Sequence, residues 1–208
     1  MKRAFLIGWS AAAVVVMGVS LAARPAVLAD APLAVDSAKV TLAGTSNIHE
    51  YTASTTKVRV TQAQLGAALD GHFCDNALKP GAVEAFQIAI AAGTLKSPKG
   101  DALDKNMYKA LKVDQFPDIT FTLTKFDFTG KPAGAAKAIG VLKIAGVERQ
   151  VTMDITTKID GEKLGVQGRL DLLMTDFGIK PPTAMMGMLK TDPKITVTFE
   201  TVLAMPLS

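Results

Sequence analysis

Between Gly161 and Thr175 the chain alternates strictly in chemistry. Leu164, Val166, Gly168, Leu170, Leu172 and Met174 share one parity; Lys163, Gln167, Arg169, Asp171 and Thr175 share the other, with Leu173 the exception from Lys163 onward. Successive side chains on a strand point to opposite faces, so this segment predicts a half-buried strand. It is long: about 12 residues at ~3.3 Å each reach roughly 40 Å, beyond the usual strand. From Ile119 to the end the same alternation recurs. Several long strands in series predict an all-β fold, an antiparallel lipocalin-like barrel of about eight strands. A ligand inside such a wall must be greasy.

The amino terminus reads differently. Lys2 and Arg3 precede an uncharged run, Ala4 to Ala23, and Arg24-Pro25 and Val27-Leu28-Ala29 follow. This is the pattern of a secretory signal peptide over residues 1–29. The rival is an uncleaved anchor, since the run is long enough to span a bilayer. The whole chain holds 23 Lys+Arg against 19 Asp+Glu. Cleavage would take Lys2, Arg3 and Arg24 and no acid, so the sequence pI of 9.1 is largely the leader's. Nothing resembles the clustered basic face of a nucleic-acid protein. Residues 30–208 suit one domain in the periplasm or outside the cell, with no stable membrane span after cleavage. One cysteine, Cys74, leaves no intrachain disulfide. Cys74 is read as a small buried residue, though pairing between chains leaves a homodimer open.

Along the chain, Leu33 to Leu42 predicts a first strand broken at Gly44-Thr45-Ser46-Asn47. Tyr51 to Val60 predicts a second, and Val83 to Ala91 another. Gln62 to Pro80 is ambiguous. Ala102 to Lys112 is the one helix, with Asp101 as N-cap and Leu103, Met107, Ala110 and Leu111 as its apolar stripe. It is expected to cover one barrel end. Ile119, Phe121 and Leu123 alternate inward; after Lys125 the phase passes to Phe126 and Phe128, which predicts a bulge. Lys131 to Ala136 reads as a loop. Hairpins are predicted around Ala145-Gly146-Val147-Glu148 and at Asp160-Gly161. Phe177 to Pro193 reads as a long connection, and Ile195 to Leu203 as the last strand.

Several motifs together resemble the YceI-like domain family of secreted bacterial proteins. They are Gly44-Thr45-Ser46-Asn47-Ile48-His49, Leu95-Lys96-Ser97, Phe116-Pro117-Asp118-Ile119-Thr120-Phe121, Gly140 to Val147 followed by Gln150-Val151-Thr152, Thr175 to Ile179, and Lys190-Thr191 leading into Ile195 to Phe199. The resemblance covers about Leu33 to Leu203. It implies an elongated barrel enclosing an amphiphile with a polyisoprenoid or similar tail. Tyr51 stands where relatives often carry Trp, and the match is poor across Gln62 to Asn76.

The chemistry of the residues agrees with binding rather than catalysis. No nucleophile elbow, P-loop, dinucleotide fingerprint or zinc-protease motif is present. A metal site drawn from His72, Cys74 and Asp75, or from His49 and Glu50, has too few ligands at too loose a spacing to be assigned. The expectation is therefore a non-enzymatic protein without cofactor other than a bound isoprenoid or long-chain lipid. The inward set is the predicted cavity lining: Val40, Leu42, Phe86, Ile88, Phe121, Leu123, Met153, Ile155, Val166, Leu170, Leu172, Val197 and Phe199. His49, Tyr51, Met185, Met186 and Met188 are the predicted mouth or head-group residues, the methionines as a flap over the entrance. Two other readings stay open. One is a stress-related or protein-interaction module with a filled barrel. The other is an enzyme on a lipid-like substrate, with His49 as its only attractive acid or base.

Overall fold

The computed structural model describes residues 33–65, 82–128, 134–184, 186 and 188–204. Ten strands and one α-helix follow in order: β1 (Ala34–Ser46), β2 (Glu50–Thr55), β3 (Val58–Leu65), β4 (Val83–Ala91), α1 (Asp101–Leu111), β5 (Asp118–Phe128), β6 (Gly134–Ile144), β7 (Val147–Asp160), β8 (Lys163–Leu173), the two-residue β9 (Thr183–Ala184) and β10 (Leu189–Ala204). Nine of them form one antiparallel sheet ordered β2-β1-β10-β8-β7-β6-β5-β4-β3, and β9 pairs with β10. Among the described residues the predicted all-β antiparallel barrel with one helix is found, with nine strands in the sheet where about eight were expected.

Chain connectivity forces the sheet to curl. β2 and β3 are its two edges, yet only Thr56 and Lys57 separate them in sequence. A flat nine-stranded sheet would hold its edges roughly 38 Å apart at ~4.8 Å per strand. Three Cα steps reach at most about 11 Å. The edges therefore meet, and β3 comes round beside β1. No ladder joins β2 to β3 among the described residues. The seam is instead patched by Lys96, whose backbone exchanges two 2.9 Å hydrogen bonds with Ser54. Beside it the buried Thr55 hydroxyl lies 2.6 Å from that of Thr94. Thr94 donates to the Ala91 carbonyl, so Thr55 is the donor of that pair.

The turns explain the strand ends. Between β6 and β7, Ala145 (φ 49°) and Gly146 (φ 84°) make a two-residue turn, as hairpins require. Gly161 (φ 60°) does the same between β7 and β8. The bulge expected after Lys125 is present just before it, as a register shift between Leu123 and Lys125.

Several sequence expectations need correction. Tyr51 to Val60 is not one strand but parts of β2 and β3. Their composition does not change across the turn, where the Thr55 hydroxyl accepts from the Lys57 amide. Gly44-Thr45 does not break β1, which runs to Ser46. β6 already begins at Gly134, so Lys131 to Ala136 is not wholly loop. The N-cap of α1 is Gly100, without a side-chain cap bond. Asp104 does the anchoring instead: it is buried, accepts from the Ser97 amide at 2.8 Å and pairs with Lys96 at 3.1 Å. Tyr108 completes the attachment by donating to the Leu95 carbonyl at 2.6 Å. The long connection is also shorter than expected. Met174–Phe177 forms a helical turn with both end residues buried, and β10 starts at Leu189, paired with Ala184.

The helix, the β1–β2 turn, the β6–β7 turn and the connection before β10 gather at one end of the barrel. At the other end Leu33, Leu164 and Leu203 form a buried cluster.

A candidate lipid site in the barrel

Inside the barrel is a cavity of about 480 Å³, within the roughly 300–1,000 Å³ typical of small-molecule sites. It runs from Leu103 and Met107 of α1 to Leu33, Leu164 and Leu203 at the far end. Leu164 to Leu172 alone spans roughly 26 Å of wall at ~3.3 Å per residue. All thirteen residues of the predicted inward set line this cavity. The burial pattern of β8 shows the reason: Leu164 and Leu172 are buried while Lys163, Gln167, Arg169, Asp171 and Leu173 are exposed.

The lumen is open because its aromatic rings lie against the wall. Phe199 sits directly opposite Gly168 in the β8–β10 ladder. A Cβ on Gly168 would come within 2.6 Å of the Phe199 ring. Phe121 likewise lies over Gly140, and Tyr51 over its partner Gly44. Each inward-facing glycine gives a neighbouring ring somewhere to lie flat instead of crossing the lumen. β6 adds Ala136 and Ala138 on the same inward face, thinning the wall further. At the helix end Phe116 covers Gly146 in the same way.

Polar lining residues concentrate at the helix end: Ser46, His49, Tyr51, Lys99, Asn106, Thr183 and Thr191. The far end offers only Thr157 and Thr201. No Asp or Glu lines the cavity among the described residues. His49 is exposed at this end, and its turn is fixed by Ser46. The Ser46 hydroxyl donates to the His49 carbonyl at 2.8 Å and accepts from the His49 amide at 3.1 Å. Burial, and after it the charge of Asp192, raise the Tyr51 phenol above its ordinary 10.0. Tyr51 is thus a neutral hydrogen-bonding group at neutral pH. Lys99 donates from Nζ to the Glu50 carbonyl.

The mouth candidates divide. His49 and Tyr51 line the cavity. Met186 and Met188 do not: they are 104% and 68% exposed. Their backbone sits at the helix end but their side chains face solvent, so they are not lid contacts. Met185 lies outside the described residues, as do His72, Cys74, Asp75 and the leader. Sequence reasoning missed the helix residues that line the cavity, Leu103, Asn106 and Met107. The apolar stripe of α1 was the signal, since a stripe covering a barrel end must face its lumen.

A single antiparallel barrel around an elongated apolar cavity defines a class of small-ligand-enclosing proteins. A family profile for the YceI-like domain matches residues 34–203, and the chain belongs to that family. Two curated relatives, UPF0312 proteins from two strains of Pseudomonas putida, are each 32% identical over 132 residues. The matched region is 59% of this chain and 66% of each relative, so the chain spans just under two thirds of their length. Among solved structures, a polyisoprenoid binding domain from Saccharophagus degradans has a TM-score of 0.63 at 13% identity, covering 85% of this chain and 99% of that one. Burkholderia cenocepacia BcnA has a TM-score of 0.60 at 16% identity, covering 80% and 96%. At these identities the likeness is one of fold.

Proposed function

We propose that the protein is a periplasmic or secreted carrier that holds one amphipathic lipid of polyisoprenoid type, tail in the lumen and head group at the helix end. The observation that carries this reading is the open cavity, apolar along its length and polar at one end. The name of the Saccharophagus degradans neighbour supports the ligand class. Each buried methylene contributes roughly 0.8 kcal/mol. Ten would supply about 8 kcal/mol before ordering costs, the scale of micromolar binding. No covalent chemistry is part of the proposal. Native mass spectrometry of the purified protein, followed by organic extraction, tests it. A single co-purifying long-chain lipid is the expected result. A protein of bare chain mass that takes up no added isoprenoid would favour the interaction-module reading. Export follows from the leader pattern, and amino-terminal sequencing of the exported protein should begin at Asp30. A start upstream of Arg24 would refute that cleavage site.

A further inference from the structure

Among the described residues four large apolar side chains are exposed: Ile48, Leu173, Met186 and Met188. Three of the four stand on two loops at the same end of the barrel, although 141 positions separate Asn47 from Met188. Asn47 joins those loops. Its Nδ2 donates to the Met188 carbonyl at 2.8 Å, its Oδ1 accepts from the Lys190 amide at 2.8 Å, and its own amide donates to the Lys190 carbonyl at 3.1 Å. Ile48 and Met188 are therefore held beside each other on a common platform. Each is the chain neighbour of a cavity-lining residue, His49 and Leu189 respectively. The exposed tips thus stand at the end of the barrel where the cavity has its polar lining.

We propose that this rim docks the protein on the surface of an anionic lipid bilayer, where the cavity exchanges its ligand. The proposal rests on the lipid-carrier reading and adds where loading occurs. The exposed tips line neither of the two described pockets, so a folded protein partner would need a surface shaped to them. A bilayer needs no such match, because its headgroup boundary accepts apolar side chains of any shape. Lys180 on the connection before β9 and Lys190 at the start of β10, both exposed, supply cations for lipid phosphates. Glu50, Asp176 and Asp192 are the exposed carboxylates on these segments, and Lys99, whose ammonium donates to the Glu50 backbone carbonyl, is a further cation beside them.

The test is co-sedimentation with vesicles of phosphatidylethanolamine and phosphatidylglycerol at 3:1, using protein purified as the producing cell leaves it. The double variant Ile48→Ser/Met188→Ser should lose at least tenfold in vesicle partitioning. It should keep the wild-type melting temperature and the wild-type lipid content by native mass spectrometry. Lys180→Gln/Lys190→Gln should weaken binding at low salt and flatten its salt dependence. Absence of wild-type binding, or equal binding by the Ser variant, would overturn the docking surface. So would self-association that the Ser variant abolishes without any vesicle binding, which would make a second copy the partner. Vesicle binding by a protein that never carries lipid would instead sustain the surface and refute the carrier.

Discussion

The ring of Tyr51 occupies the space in which a side chain at position 44 would stand. The two residues are cross-strand partners in the β1–β2 ladder, and a Cβ on Gly44 would collide with the phenol hydroxyl and ring carbons. Gly44→Ala should therefore displace Tyr51 and destabilise the fold by about 1–3 kcal/mol, the usual cost of overpacking. Gly44→Ala combined with Tyr51→Ala should recover part of that loss. Urea titration of the two single variants and the double variant measures the coupling, and additive losses would exclude it.

Gly168→Ala should act on the cavity as well as on stability. The new methyl group meets Phe199 from one side and the Asp154 carbonyl from the other. The ring has somewhere to go only toward the lumen. Lipid retained on purification should fall, and added isoprenoid should bind more weakly by tenfold or more. Unchanged uptake, measured by native mass spectrometry, would show that the ring yields elsewhere.

Leu172 and Leu173 are adjacent and chemically identical but face opposite ways, 8% and 43% exposed. Leu172→Asp places an uncompensated charge in the apolar lumen and should cost about 3–5 kcal/mol. Leu173→Asp should cost less than about 1 kcal/mol, as surface changes do. Similar melting temperatures for the two variants would contradict the register of β8.

Acid should loosen the helix end through Asp104. The Ser97 amide, and then Lys96, hold this carboxyl below its ordinary 3.8. A depressed carboxylate adds stability above its unfolded value, and that addition fades as pH falls through the folded value. The stability gap between wild type and Asp104→Asn should be full at pH 7 and shrink below about pH 4. On the outer wall Asp171, held to about 2 mainly by the Thr196 hydroxyl and then Lys194, should stay ionised through most of that acid range. A gap that does not change between pH 7 and pH 3 would mean Asp104 has no such role.

What the sequence made legible was whatever depends on a residue and its near neighbours. Side-chain parity is such a property, which is why Val166, Leu170 and Phe199 were placed inward from spacing alone. The shift of phase beside Lys125 was readable for the same reason. Openness of the lumen was not, because it depends on cross-strand partners: Phe199 is harmless to the cavity only because Gly168 lies opposite. The division into β2 and β3 was hidden by a Thr- and Val-rich run that looks the same on both sides of the turn. Met186 and Met188 looked like lid residues because methionine suits greasy contacts, and nothing local reveals that their side chains turn outward.

The seam between β2 and β3 has a mechanical meaning. A tube closed by backbone ladders all the way round has a fixed girth, since widening it breaks a row of hydrogen bonds. Among the described residues this wall is laddered from β2 through β3 by way of seven other strands, and the hydrogen bonds across its seam are the Ser54–Lys96 bridge and a pair of threonine hydroxyls beside a two-residue link. Its circumference can change there at the loss of a few bonds, so the girth of the lumen can alter without remaking the sheet.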